Sequence, residues 1–267
     1  MGGRESFIQK RMGRIRCVQA LNALLINGYT IGDEPELQST IRGARLVQNG
    51  SVLSEVLSEA GPTHSVFDVL AAAIMLNKET RVGILGFAAG GVIAPLRAMN
   101  GRQDFYGVDL DEAGFKLFGK VSGDWRGNLM FVKSDAVKWL GAQQKPFDVL
   151  LEDLSIGQDG DVFKPDVSID VLPDLIRSKL KPSGIAIFNL LPSNDRTWAE
   201  MIRIVSHSFE HGLIITFDSF YNKVLILSIK PLSSTRKISR LLRNFLSGIQ
   251  SSISRDIQVR TLRIMKS

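Results

Sequence analysis

The chain has 267 residues, 44% of them apolar and 22% charged, a composition that is typical of a globular domain and argues against wholesale disorder. One cysteine excludes an intramolecular disulfide framework and fits a reducing compartment, and with three histidines it leaves few ligands for a structural metal. No apolar run reaches the roughly 18 residues that a membrane-spanning helix needs.

The net charge of +6 is distributed unevenly along the chain. Residues 1–16 carry +4 and residues 231–267 carry +7, so the segment between them carries −5. A basic stripe beside the active site is expected of a nucleic-acid enzyme, and this pattern lacks one, so we expect no nucleic-acid partner. The basic ends are either solvated helix faces or contacts to an anionic surface or partner.

A helix is predicted over residues 8–27, because apolar residues recur there every three or four positions and Asn27-Gly28 ends the pattern. Its apolar face is expected to pack on the domain. The preceding Met-Gly-Gly-Arg-Glu-Ser fits the loose N-myristoylation pattern, and the arginine-rich composition also fits an import peptide. We expect a cytoplasmic protein because the single cysteine fits a reducing compartment. Membrane attachment through the N-terminus and organellar import are the alternatives.

Residues 29–43 are expected to form a loop, followed by a hairpin around Asn49-Gly50 and a helix that Gly61-Pro62 opens. From residue 81, short apolar strands alternate with helices. The predicted strands are 44–47, 51–57, 81–85, 105–108, 129–132, 147–151, 185–190, 213–217 and 223–229, with a short strand or tail at 257–264. The predicted helices are 63–76, 92–99, 112–121, 134–140, 169–180, 198–209 and 235–249.

This alternation predicts a doubly wound α/β fold. The strands are apolar throughout, as expected for a mostly parallel sheet with helices on both faces. The last two strands are joined by a short connection and should pair antiparallel. We therefore expect a seven-stranded Rossmann-like sheet with an antiparallel C-terminal hairpin and a small N-terminal β-hairpin region.

Candidate ligand-binding residues follow the predicted strands, where such sheets bind ligands. The small-residue loop 86–91 lets backbone approach a ligand closely. Asp109, 18 residues beyond Gly91, is placed to accept hydrogen bonds from both hydroxyls of a ribose. Asp135 is placed to meet an adenine amino group, and Asp153 faces the reacting centre. As alternatives, the loop is only a tight turn, and Asp109 and Asp135 are helix N-caps.

Two nucleoside ligands fit a glycine loop and a distal acid. A nicotinamide dinucleotide needs a helix N-terminus for its pyrophosphate and usually the pattern G-x-G-x-x-G, in which Ala88 here replaces the second glycine. S-adenosylmethionine has no phosphate and needs contacts to adenine, ribose and a cationic sulfonium. Asp135 and the closing antiparallel strand pair fit S-adenosylmethionine better, so it or a related nucleoside is favoured over the dinucleotide.

Residues 44–230 resemble the spermidine synthase family within the class I S-adenosylmethionine-dependent methyltransferase fold. The segments that carry the resemblance are 81–92, 108–112, 134–136 and 147–155, which look like that family's glycine loop, ribose-binding, adenine-binding and catalytic-acid segments. The resemblance implies that S-adenosylmethionine, or its decarboxylated form, is bound by Gly86, Phe87, Ala88, Gly90, Asp109, Leu110, Asp135, Ala136 and Asp153.

The chain departs from the family's pattern at three places. Ala89 stands where the family's loop has Asp, residues 66–68 retain only Asp68 of a Tyr-His-Glu segment, and Ile156 replaces the last Asp of an Asp-Ser-Ser-Asp element. Aminopropyl transfer needs carboxylates to bind and deprotonate an amine that is protonated at neutral pH. Methyl transfer asks less of the protein, because the sulfonium is already activated and positioning supplies most of the rate.

Methyl transfer to an unknown small-molecule or protein acceptor is therefore the favoured function. Aminopropyl transfer and a non-catalytic interaction role are the alternatives. Asp153 and Ser155 are the expected catalytic residues, with Asp68 and Glu152 as weaker candidates. A homodimer is also considered. The expected division is a basic helix and loop, a hairpin with a helix, an S-adenosylmethionine-binding Rossmann-like domain and a basic helix or tail, over residues 1–43, 44–77, 78–230 and 231–267.

For five other side chains we prefer a structural explanation to a functional one. Trp198 and Phe220 are expected to be core residues, although they could wall an acceptor pocket. His207 and His211 have a metal-ligand spacing on the predicted helix, but they lack a third ligand and are expected to lie on a surface face. His64 is expected to be structural, with proton transfer as its alternative, and no metal is predicted.

Overall fold

The computed structural model describes residues 35–158 and 161–264. The predicted helix over residues 8–27 and the N-myristoylation pattern lie outside these residues. The strands are β1 Glu36–Thr40, β2 Gly43–Gln48, β3 Ser51–Leu57, β4 Arg81–Leu85, β5 Asp104–Asp109, β6 Leu129–Lys133, β7 Phe147–Glu152, β8 Ile156–Gln158, β9 Asp161–Phe163, β10 Leu180–Leu190, β11 His211–Thr216, β12 Lys223–Ser228 and β13 Gln258–Leu262. The helices are α1 Val66–Ile74, α2 Ile93–Ala98, α3 Ala113–Val121, α4 Ala136–Ala142, α5 Asp166–Asp170, α6 Leu172–Lys179, α7 Trp198–Ser206 and α8 Thr235–Gly248.

The main sheet has eight strands in the order β13-β11-β12-β10-β7-β4-β5-β6. The five strands from β10 to β6 pair in parallel, and β12, β11 and β13 add antiparallel pairings. The predicted Rossmann-like architecture is confirmed, with β13 as an eighth strand at the edge where the β11–β12 hairpin was expected. The strand order reverses between β4 and β7, so the carboxyl ends of these two strands flank the crevice where ligands bind in such sheets.

Helices cover both faces of this sheet, and this explains why the central strands β4 and β7 are largely apolar and almost wholly buried. One core cluster includes buried residues of α1, α2, α3 and α8, and the other includes those of α4, α5, α6 and α7. Every residue of β7 is buried, including its last residue, Glu152. No helix among the described residues is long and apolar enough to cross a membrane.

The expectation of a loop over residues 29–43 is wrong for its described part, because residues 36–40 form β1 and pair antiparallel with β2. All five residues of β1 are exposed, so the strand has no apolar alternation that a sequence reading could detect. The short β8–β9 hairpin was also not predicted. The helix predicted over residues 169–180 is two helices that meet at Val171, beside Pro173, whose missing N–H disfavours helix interiors.

Candidate active site

The glycine loop begins where β4 ends, beside the end of β7. The N–H groups of Gly86 and Phe87 both donate to the carbonyl oxygen of Val108 in β5. Gly86 has φ +84°, and a Cβ on it would lie 2.7 Å from the carbonyl oxygen of Asp153. Only glycine therefore allows the loop to pass this close to the backbone that follows β7.

The loop is tied to Asp109 at the end of β5. The N–H of Ala88 donates to Oδ2 of Asp109 at 2.7 Å, and the N–H of Asp111 donates to Oδ1 at 3.3 Å. Burial raises the pKa of Asp109, and the backbone hydrogen bonds oppose that shift. Each carboxylate oxygen has two lone pairs, so the side chain retains capacity for further donors such as sugar hydroxyls.

Phe87 anchors the loop to the core instead of lining the crevice with its side chain. Its ring is 2% exposed and meets the rings of Phe115, Phe118 and Phe131 edge-on at 5.7–6.0 Å. A Cβ on Gly90 would lie 2.7 Å from the same ring. Phe87 and Gly90 can therefore contact a ligand only through their backbone atoms.

Asp153 follows β7 directly and lies at the strand reversal. Its N–H donates to the carbonyl oxygen of Leu85 at 2.8 Å, and its Oδ1 accepts a hydrogen bond of 2.7 Å from Nδ2 of Asn189. Nδ2 of Asn222 donates in turn to Oδ1 of Asn189 at 2.9 Å. Burial raises the pKa of Asp153 to about 7, against the hydrogen bond from Asn189 and the charge of Lys164.

The charge of Asp109 also raises the pKa of Asp153, so the two carboxylates interact electrostatically. The structure thus brings together Gly86, Ala88, Asp109 and Asp153. Ser155 is half-buried two residues further along the chain. The sequence reading missed Asn189, and its only signal was a single polar residue within the apolar segment 185–190.

Glu152 lies on the opposite face of the strand, in a buried ion pair. Its Oε2 is 2.6 Å from Nζ of Lys164, and neither side chain is exposed. Oε1 of Glu152 accepts hydrogen bonds from Ser168 Oγ and from the N–H of Leu154, and Nζ of Lys164 donates to the carbonyl oxygen of Leu154. The pair therefore holds both backbone groups of the residue that follows Asp153.

Asp135 is exposed and caps α4, because Oδ1 accepts a hydrogen bond of 2.9 Å from the N–H of Lys138. The N–H of Ser134 donates to the carbonyl oxygen of Asp109, so this turn adjoins the ribose candidate. Ala136 is buried in the first turn of α4, and Leu110 is 57% exposed. The structure places these three residues beside Asp109, with the carboxylate of Asp135 bonded to its own helix.

Asp68 is fully engaged in structural hydrogen bonds. It accepts from the N–H and Oγ1 of Thr63, the N–H of His64 and Oγ of Ser251. His64 accepts a hydrogen bond at Nδ1 from the N–H of Ser252. Both side chains therefore join the start of α1 to the segment that follows α8.

The histidine pair does not share a helix, contrary to the sequence interpretation. His207 is the C-cap of α7 and His211 begins β11. Within the described part of the chain, no group of three or more His, Cys, Asp or Glu side chains could hold a metal. Trp198 and Phe220 pack against the core clusters, with Nζ of Lys223 4.0 Å from the centre of the Trp198 ring.

Two surface cavities, of about 240 and 250 Å³, lie away from this constellation. One adjoins His211 at the start of β11, and the other adjoins Asp104 at the start of β5. Both cavities are therefore at the end of the sheet where the parallel strands begin. The candidate site is at the opposite end, where these strands finish.

No family model and no curated protein sequence matches the chain. Solved structures do match. A probable spermidine synthase from Corynebacterium glutamicum has a TM-score of 0.63 at 16% identity, over 85% of this chain and 87% of that one. Spermidine synthase from Thermotoga maritima has a TM-score of 0.56 at 14% identity, over 90% and 79%. Human Methyltransferase-like protein 13, crystallised with S-adenosylhomocysteine (SAH), has a TM-score of 0.52 at 15% identity, over 69% and 90%. At these identities the comparisons show the fold.

Proposed function

We propose that this chain, which has the spermidine synthase-like class I methyltransferase fold, is an S-adenosylmethionine-dependent transferase that methylates a nucleophile. The observation that carries the proposal is the hydrogen bond between Ala88 and Asp109, which joins the glycine loop to the acid at the end of β5. Asp153 lies on the other side of the strand reversal. Two acids and a close-packed loop thus flank the crevice where this type of sheet binds nucleosides.

The residues present fit such a nucleoside. A side chain on Gly86 would collide with the backbone at Asp153, so the loop packs directly against the ends of β4 and β7. Asp109 is only half-buried and retains acceptor capacity beyond its two backbone donors, which suits a pair of ribose hydroxyls. When bound, S-adenosylmethionine would supply an activated methyl group on a positively charged sulfur.

Asp153 is the group that we assign to the acceptor. Its Oδ1 is occupied by Asn189, so the orientation of the carboxyl group is set before any substrate binds. A pKa near 7 suits a general base, because such a group is partly ionised at neutral pH and still accepts a proton effectively. The proposed role is to orient the acceptor and to take the proton that it releases.

The neighbouring groups favour methyl transfer over aminopropyl transfer. A diamine acceptor would need several carboxylates, but all of the acceptor capacity described for Asp68 is directed at Thr63, His64 and Ser251. Glu152 is neutralised by Lys164, and Ile156 is 52% exposed where the family has a second acid. Of the three acids considered for the acceptor, Asp68, Glu152 and Asp153, only Asp153 is then left to bind an amine, and one carboxylate is too few for a polycation.

Binding titrations by calorimetry test the nucleoside site. We expect S-adenosylmethionine to bind, and we expect Asp109→Asn to weaken it about 10- to 100-fold, since a hydrogen bond to a charged group contributes roughly 1.5–3 kcal/mol. Asp124→Asn, at an exposed carboxylate in another turn, is the matched control and should bind normally. A folded protein that binds neither S-adenosylmethionine nor its decarboxylated form would refute the proposal.

A second assay separates the two transfer reactions. The protein is incubated with labelled putrescine and decarboxylated S-adenosylmethionine between pH 7 and 9. Methyl transfer predicts that no labelled spermidine forms and that S-adenosylmethionine binds at least as tightly as its decarboxylated form. Formation of spermidine that is lost in Asp153→Asn would establish aminopropyl transfer instead.

A further inference from the structure

Helix α8 presents a row of basic side chains to solvent. Its buried stripe consists of Ile238, Leu242 and Leu246, four residues apart. On the outer side lie Arg236, Lys237, Arg240 and Arg243, all exposed, which we call the α8 basic face. Arg236 and Arg243 are seven residues apart, so the row extends about 10 Å along the helix axis.

Within the part of the chain that the structure describes, the α8 basic face is not neutralised by acidic side chains. Among residues 35–158 and 161–264, none of its four cations forms an ion pair. The only acid in residues 231–267 is Asp256, whose carboxylate accepts hydrogen bonds from the N–H of Asp218 and from Ser219. Arg243 donates to the carbonyl oxygen of Ile257, which holds one guanidinium in place on the surface.

The C-terminal end of α8 is close to the candidate site. Ser251, three residues beyond the helix, donates to Asp68 at 2.6 Å. The adjacent Phe67 packs against the glycine loop, where a Cβ on Gly91 would lie 2.8 Å from its ring. A long anion that followed α8 would therefore reach the edge of the sheet that carries Asp109 and Asp153.

We infer that the α8 basic face binds the phosphate backbone of a single-stranded nucleic acid. Three of the four cations are arginines, whose planar guanidinium groups match phosphate oxygens. Asn244 and Ser247 are exposed on the same side and supply neutral donors of the kind that contact phosphates. A rigid helical row suits a repeating chain of charges.

A membrane fits this surface less well. An interfacial helix inserts apolar side chains between lipids. Within the described residues, the exposed large hydrophobic side chains all lie outside residues 231–264. The inference departs from our sequence-based expectation of no nucleic-acid partner, which assumed that the basic segment lies away from the site. It does not depend on the proposed methyl transfer.

The test is fluorescence anisotropy of a labelled 20-nucleotide poly(U) strand with the full chain, over a series of salt concentrations. We expect binding at 50 mM salt, and we expect the logarithm of the binding constant to fall linearly with the logarithm of the salt concentration. The triple variant Arg236→Glu, Lys237→Glu, Arg240→Glu should bind at least tenfold more weakly. Its log–log salt slope should be shallower by about 2, since each phosphate contact to a single strand contributes about 0.7.

The control triple variant carries Lys78→Glu, Lys120→Glu and Lys145→Glu, at exposed lysines on other elements, with the same change in net charge. It should keep the wild-type slope. An Arg236→Gln, Lys237→Gln, Arg240→Gln variant repeats the test without introduced acids, and circular dichroism checks that each variant is folded. The inference is wrong if the strand does not bind at 50 mM salt, or if the α8 Glu variant and the lysine control variant lose equal affinity. It is also wrong if the protein binds phosphatidylserine vesicles but not the strand.

Discussion

Asn189 Nδ2 lies 2.7 Å from Oδ1 of Asp153 and links the interior of β10 to the residue that follows β7. The bond favours the ionised carboxylate, whereas burial favours the protonated one, and burial is the larger effect. The pKa of Asp153 therefore stands near 7, well above the ordinary value for aspartate. This makes the residue sensitive to pH in the physiological range.

The raised pKa of Asp153 predicts a pH-dependent stability difference between the wild type and Asp153→Asn. Between about pH 4 and 7 the folded state binds a proton that the unfolded state has released, so this group lowers stability as the pH rises. Asparagine at this position cannot ionise, yet it still offers an oxygen to Asn189. The variant should therefore be more stable than the wild type at pH 8, and the two should converge near pH 4.

Urea denaturation at several pH values measures this difference. Asp109, whose pKa is also raised, is present in both proteins, so the comparison isolates Asp153 together with its electrostatic interaction with Asp109. Parallel stability profiles from pH 4 to 8 would mean that Asp153 titrates normally. Asn189→Leu, which removes the hydrogen bond that lowers the pKa, should move the titration of Asp153 to higher pH.

Two glycines on α3 form a matched pair for testing the glycine loop. A Cβ on Gly114 would lie 2.0 Å from the carbonyl oxygen of Ala88, whereas a Cβ on Gly119 would meet nothing within 4 Å. Gly114→Ala should therefore displace the loop, weaken nucleoside binding at least tenfold and destabilise the protein. Gly119→Ala should bind normally and gain up to about 1 kcal/mol, because alanine favours helix.

Thermal unfolding and titration with S-adenosylmethionine on both variants check this prediction. Equal binding by Gly114→Ala and the wild type would show that the loop conformation does not matter for the ligand. It would also remove the role that we assign to the backbone of Ala88.

The ion pair between Glu152 and Lys164 predicts that the stability losses of its two single variants do not add in the double variant. Removing one partner leaves the other charge buried and unpaired, which typically costs about 3–5 kcal/mol. Glu152→Leu and Lys164→Met should each lose about that much. The double variant should be more stable than either single variant, because no buried charge remains.

A double-mutant cycle by urea denaturation measures the coupling between these residues. The matched reference is the cycle for Lys116 and Glu112, a pair of exposed side chains four residues apart on the surface. That pair should couple by about 0.5 kcal/mol or less. Comparable coupling in the two cycles would contradict the buried character of the pair.

Asp68 is predicted to act in stability and not in substrate binding. Asp68→Asn weakens four accepted hydrogen bonds and should cost roughly 1.5–3 kcal/mol. Ser251→Ala should reproduce part of this loss because it removes one of those donors. Chemical denaturation measures both. An unchanged stability for Asp68→Asn, accompanied by a change in amine binding, would return this residue to the acceptor site.

Much of the fold could be predicted because the parallel strands are short apolar segments between clear helices. The sequence could also locate Asp109 and Asp153, since each follows an apolar strand directly. It could not predict β1, whose five exposed residues form a strand only through pairing with β2. The local sequence pattern does not reveal a strand that forms because of its pairing with a neighbour.

The supporting contacts of the site depend on register between distant strands. Asn189 meets Asp153 because β10 pairs with β7 in a particular alignment, with Phe188 opposite Glu152. Lys164 lies outside the regular elements and has no sequence signal that marks it as buried. The residues that we propose to face a ligand were thus predictable from their position after a strand, whereas those that hold them in place were not.

The bond between Ser251 and Asp68 spans 183 residues of chain, and β13 completes the sheet later still. During synthesis on the ribosome, α1 emerges long before the segment that covers it. Its apolar face stays exposed to chaperones or to self-association until the chain has been made through α8 and Ser251. Closure of this contact is therefore a late event in biogenesis, and a nascent chain that stalled before α8 would be left with an open core.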